Sequence, residues 1–213
     1  MASPAALHSA GSSEWFTPSS VIEPARAVLG GIDFDPASCR VAQTLVQARR
    51  FCTWESDGLA TVWPTVGSIW LNPPTPPRDW WVRLLQHITK TGQPALYLAY
   101  SFEQVQQSQV WARDEDVSSM LARGHSLCAP SARITYMRRA GDALAVRLEQ
   151  RKKLKKAGAV ISKALSREID ALRATAPDSL VKGDQPSHAS FIVGINVDRG
   201  DFRRAFKSLG DCR

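Results

Sequence analysis

Apolar residues recur in two rhythms along this chain. Over residues 78–91, Trp81, Leu84, Leu85 and Ile88 return at three- and four-residue intervals, which predicts that most of the stretch is an amphipathic helix with one buried face. Residues 94–100 form a continuous apolar run instead, the pattern of a strand buried on both sides. Around these two, the same reading predicts a helix over 21–29, with Ser20 and Glu23 as a capping box, Pro24 in its first turn and Gly30-Gly31 as its stop. A short strand at 32–35 is broken by Pro36, and a helix at 39–48 and strands at 50–53 and 68–71 follow. Beyond residue 100 the expectation is short helices at 103–111 and 117–123 and strands at 126–128 and 132–137. A helical segment at 144–174 is interrupted by Gly158, and after a loop at 183–186 come a strand at 189–195 and a closing helix at 202–209. Strand and helix alternate through most of the chain. That order predicts a three-layer α/β sandwich, mostly parallel, with an antiparallel strand near the end and the basic helices inserted before it.

The strand at 68–71 runs into Asn72-Pro73-Pro74-Thr75. Two prolines have no N–H for a ladder and leave a stiff turn at a strand's carboxyl end, the edge where open α/β sheets hold ligands. The Asn72 side chain and the Pro73 carbonyl then form a pair of acceptors. Such a pair suits an exocyclic amine of a nucleobase, whose hydrogens must be held and polarised before its nitrogen attacks an electrophile. The plainer alternative is a proline-rich loop that ends a buried strand. Asp33 and Asp35 could hold the ribose or amino-acid part of a nucleotide-like cofactor, or Asp-Pro could be a simple turn signal. No GxGxxG loop accompanies them, so a cofactor without phosphate is preferred, and S-adenosylmethionine is one.

With 213 residues and 44% hydrophobic content, one domain with an elaboration is expected. The net charge of +7 is concentrated: residues 147–173 hold nine basic and three acidic side chains, a net +6. Arg151, Lys152, Lys153, Lys155 and Lys156 lead that segment, and a polyanion is the partner it favours. The segment lacks the bulky aromatic face of an interfacial helix, which points to nucleic acid rather than membrane. Cys39, Cys52, Cys128 and Cys212 show no CxxC spacing and read as buried or idle thiols of a reducing cytosol. His125 and Cys128 alone do not make a metal site. Residues 1–13 read as a flexible tail, with no secretory or membrane-spanning run in the chain.

Four segments in register carry a resemblance: Trp15-Phe16-Thr17-Pro18, Gly31-Ile32-Asp33-Phe34-Asp35-Pro36-Ala37-Ser38, Asp57-Gly58-Leu59 and Trp70-Leu71-Asn72-Pro73-Pro74. Fainter similarity runs through Ala132-Arg133-Ile134-Thr135-Tyr136 and Pro186-Ser187-His188-Ala189-Ser190-Phe191. Together they resemble the phage-type, Dam-like DNA N6-adenine methyltransferases over most of residues 14–206, apart from a basic helical insert at about 144–182. The resemblance implies a Rossmann-like fold that uses S-adenosylmethionine, acts on DNA in the cytoplasm of a bacterial host and needs no metal. Trp15, Phe16, Thr17, Pro18, Asp33, Asp35, Pro36, Ala37 and Ser38 would line the donor pocket, with Asp57 near the adenosine hydroxyls. Asn72, Pro73, Pro74 and Thr75 would form the catalytic turn, and the target base would be flipped out of the helix. Cytosine N4 is the nearest alternative target, and a lapsed enzyme kept for DNA binding or assembly is the other reading. The family's turn ends in an aromatic residue that stacks on the base, and here that position is Thr75. Trp80 and Trp81 are the nearest rings able to replace it.

Overall fold

A computed structural model describes residues 15–183 and 188–213. The expected tail at 1–13 lies outside the described residues, as does most of the expected loop at 183–186. The chain forms two compact units, one of residues 17–134 and 188–213 and a smaller one of 15–16 and 135–183.

In the larger unit the elements are α1 (Ser19–Leu29), β1 (Phe34–Asp35), α2 (Gln43–Val46), β2 (Arg50–Phe51), β3 (Ile69–Leu71), α3 (Arg78–Thr91), β4 (Ala95–Ala99), α4 (Phe102–Asp114) and β5 (Ser126–Pro130). In the smaller unit follow β6 (Met137–Arg139), α5 (Ala140–Lys156), α6 (Lys163–Arg173) and β7 (Leu180–Lys182). The chain then returns to the larger unit with β8 (Phe191–Ile195), α7 (Arg199–Phe206) and β9 (Gly210–Cys212).

The larger unit is an α/β fold around one seven-stranded sheet of order β2-β1-β3-β4-β8-β5-β9. Strands β2, β1, β3 and β4 are parallel, and β8 runs antiparallel between β4 and β5. The expected late antiparallel strand is thus present, and β9 adds a second one on the edge beside β5. One face of the sheet is covered by α3 and α4, whose Trp81, Leu84, Leu85, Ile88 and Val105 pack on Ile69, Leu71, Tyr97 and Ala99. On the other lie α1 and α7, which touch each other, with α1 against β4 and α7 against β5. Gly194 in β8 lets α7 approach that closely. A Cβ there would lie 2.8 Å from Val197 Cγ2 and 2.9 Å from the Phe202 ring.

Several sequence expectations are corrected. Helix α1 starts at Ser19, so Pro24 falls in the second turn. The Ser20–Glu23 capping box does not form, and Glu23 pairs with Arg26 at 3.4 Å. The helix expected at 39–48 is the four-residue α2, which stops at Gln47 in the left-handed region (φ 51°). No helix forms at 117–123, and the strand expected over 132–137 begins at Met137. Strands β7 and β9 were not expected. Cys128 and Cys212 stand directly opposite each other on β5 and β9 and are joined as a disulfide, so they are not idle thiols, whereas Cys39 and Cys52 are free.

The smaller unit pairs β6 with β7 antiparallel, and Phe16 bridges to Met137 through two backbone hydrogen bonds of 2.8 and 2.9 Å. From this base α5 and α6 rise as a helical hairpin. Leu165 and Ile169 are buried, the Arg147 Nε–Glu168 bond is 2.8 Å, and Ser162 caps α6 by accepting from Leu165 N. No described helix is long and apolar enough to cross a membrane.

Candidate functional site

The carboxyl edge of the parallel strands gathers the residues singled out from the sequence. Strand β3 ends at Leu71, opposite Tyr97 of β4, and the next residue, Asn72, leaves the ladder. Its side-chain Nδ2 donates to Thr17 Oγ1 at 3.2 Å, across 55 positions of sequence. Thr17 is buried, and its hydroxyl holds the Asn72 amide in place. With the nitrogen engaged, Asn72 Oδ1 and the Pro73 carbonyl remain as acceptors that take no hydrogen bond within the described residues. Pro73 is buried, whereas Pro74 and Thr75 are exposed.

On the neighbouring strand, the loop after β1 is held by a polar network. Asp35 is buried. Its Oδ1 accepts from Ala37 N at 3.2 Å and its Oδ2 from Gln43 Nε2 at 3.0 Å. Gln43 also donates to Ser38 Oγ at 2.7 Å and accepts from Ala48 N at 2.8 Å, so one side chain ties β1, its loop and α2 together. Burial raises the Asp35 pKa from 3.8 to about 6, against the lowering effect of the Ser38, Ala37 and Gln43 hydrogen bonds. Asp33 does other work. It lies before β1, where its Oδ2 accepts from Ser68 N at 2.9 Å and its Oδ1 pairs with Arg49 at 3.3 Å, so it ties β1 to β3.

Asp57 is exposed, at φ 44°, with Oδ1 taking the amide of Leu59 at 3.0 Å and Oδ2 taking none within the described residues. Gly58 beside it touches the loop after β1: a Cβ at this position would run into the Pro36 carbonyl oxygen. The lack of a side chain at residue 58 therefore lets the turn that carries Asp57 approach the loop after β1 at Pro36. Trp80 packs under this junction, its ring 3.0 Å from the same hypothetical Cβ. Trp80 is 8% exposed, and Trp81, fully buried, donates its indole N–H to Ser118 O at 3.1 Å and meets Tyr97 edge-on. Both tryptophans are core, because helical spacing from a turn that ends at Pro77 carries them inward, and neither offers a face to DNA.

Trp15 and Phe16 belong to the smaller unit, where Trp15 lies edge-on to Tyr136 with the Arg138 guanidinium over its ring, and Arg139 lies over Phe16. Pro18, in the larger unit, is the N-cap of α1. In the hairpin, Lys152, Lys153, Lys155 and Lys156 are exposed and Arg151 is half-buried. From Gln150 to Arg167 there are seven basic residues and no acidic one, most of them toward the end of the hairpin where α5 and α6 are joined. No group of His, Cys, Asp and Glu side chains among the described residues could hold a metal. Comparison with known proteins finds no family model, no curated protein and no solved structure that matches this chain.

Proposed function

We propose that the protein is a DNA methyltransferase that uses S-adenosylmethionine and acts on the exocyclic amine of adenine, N6. The observation that carries this reading is the orientation of Asn72. Thr17 takes the amide nitrogen, and Asn72 Oδ1 and the carbonyl of the next residue, Pro73, are left as hydrogen-bond acceptors at a sheet edge suited to a ligand. Two acceptors on consecutive residues match the two hydrogens of an –NH2 group. A carbonyl or carboxylate substrate would need donors instead.

The cofactor side is consistent with this. Asp57 offers a free carboxylate oxygen on the turn that approaches the 36–38 loop, and the loop has no glycine-rich phosphate cradle, which suits a nucleoside cofactor without phosphate. A late strand that runs antiparallel between two co-directional neighbours, followed by a helix on the outer face, also accords with a Rossmann-like methyltransferase sheet.

When bound, S-adenosylmethionine supplies a methyl group on a sulfonium. Asn72 Oδ1 and Pro73 O accept the two amine hydrogens, which draws the nitrogen lone pair out of conjugation with the ring and aims it. The methyl–sulfur bond would break as the N–C bond forms, leaving a neutral thioether, and the two acceptors would stabilise the positive charge gained by the amine until its extra proton passes to water. The basic hairpin supplies phosphate contacts.

The test is methylation of DNA by purified protein and donor, with nucleosides resolved by mass spectrometry. N6-methyladenine is the expected product, and N4-methylcytosine would shift the target. Asn72→Ala should cost on the order of a hundredfold in rate while calorimetry shows the donor still bound. An Asn72→Ala protein as active as the parent overturns the mechanism. DNA binding without any methyl transfer by the parent identifies a lapsed enzyme.

A further inference from the structure

A base held by its amine alone can swing about that contact, and a ring stacked on its face removes the freedom. Thr75 has no ring, and Trp80 and Trp81 are in the core. The adjacent strand supplies rings at the same edge. Strand β4 lies beside β3 in parallel register, Leu71 against Tyr97, and its carboxyl end leads into Tyr100-Ser101-Phe102. Tyr100 is 37% exposed and Phe102 is 54% exposed.

Their backbone is not a loose loop. Ser101 is buried and caps α4 by accepting from Gln104 N at 3.2 Å, while Gln104 Oε1 takes the Tyr100 amide at 2.9 Å. Gln104 is itself buried and donates to the Tyr97 hydroxyl. Phe102 leans on Phe191, at the start of β8, with ring centroids 5.8 Å apart at 48°. Phe102 thus presents more than half its surface to solvent on a turn fixed from both sides and is braced by a second ring.

We propose that Phe102, braced by Phe191, is the stacking surface for the flipped base and takes the part for which residue 75 has no ring, with Tyr100 flanking it. The inference rests on the methyltransferase reading above. It assigns the hold on the base to the β4–α4 connection, while β3 keeps the hold on the amine.

The experiment uses the full-length protein on a duplex that carries its mapped methylation site, and on the same duplex with 2-aminopurine at the target position. Single-turnover methylation, 2-aminopurine fluorescence and donor affinity are measured for the parent, Phe102→Ala and Phe102→Tyr, with circular dichroism to confirm folding. Phe102→Ala should slow methylation by roughly 5- to 150-fold and weaken the fluorescence change that reports an extrahelical base, at unchanged donor affinity. Phe102→Tyr should recover most of both. A parent that methylates and a Phe102→Ala variant that matches its rate and fluorescence overturn the stacking role alone. A parent that transfers no methyl group to DNA overturns the function and the stacking role together.

Discussion

Asp35 brings a carboxylate to a place that water does not reach, and its pKa rises from 3.8 to about 6. A folded-state pKa above the unfolded one means the native chain binds the proton more tightly. The stabilisation is therefore complete below about pH 4 and disappears as the pH climbs past 6. At neutral pH the ionised group costs about 3 kcal/mol relative to acid. Asp35→Asn has nearly the same shape and does not titrate, so other groups cancel from the difference between the two proteins. Denaturant unfolding from pH 4 to 7 should show that difference moving by roughly 2 kcal/mol in favour of the variant, and a difference flat across that range would refute it. The charge is tolerated because an ionised carboxylate accepts from Ala37 N and Gln43 together. Such detail was only partly legible in the sequence. Asn72-Pro73-Pro74 stood out because prolines after an apolar run have few other uses, but Gln43 is one glutamine among several, and Thr17 lies 55 positions from the amide it orients.

The hairpin of α5 and α6 concentrates its lysines where the two helices are joined. Lysine ammoniums are point charges on flexible stems, suited to phosphates and poor at reading bases. Replacing Lys152, Lys153, Lys155 and Lys156 by alanine should weaken binding to all DNA sequences alike and flatten the salt dependence by up to about 0.9 per lost contact. An unchanged salt slope would assign this surface to solvent or a protein partner. Elements such as α3 were legible because local pattern decides them: its apolar spacing predicts most of 78–91, and the helix covers Arg78–Thr91. The segment at 117–123 has helix-forming composition, but Trp81 donates to Ser118 O and Ser108 Oγ accepts from Met120 N, contacts that hold it as turns. Strand β9, Gly210–Cys212, has no alternation to read, because pairing with β5 and the Cys128–Cys212 bond place it.

For the molecule as a whole, the position of β8 has a consequence in time. Strands β4 and β5 run in the same direction but do not touch, and β8 fills the space between them. About 60 residues, including the whole hairpin, are made after β5 before β8 appears, roughly 3 to 12 s of synthesis at ~5–20 residues per second. Through that interval β4, whose five residues are all buried in the finished protein, has one bare edge. A chain stopped at residue 190 should therefore precipitate, whereas one stopped at residue 209, which lacks β9 but keeps β8 and α7, should stay in the soluble fraction. Equal solubility of the two would mean that β4 is shielded by something other than β8. The last strand to join the centre of the sheet thus acts as the closing step of folding, and a nascent chain that pauses in the lysine-rich stretch waits with its most adhesive edge open.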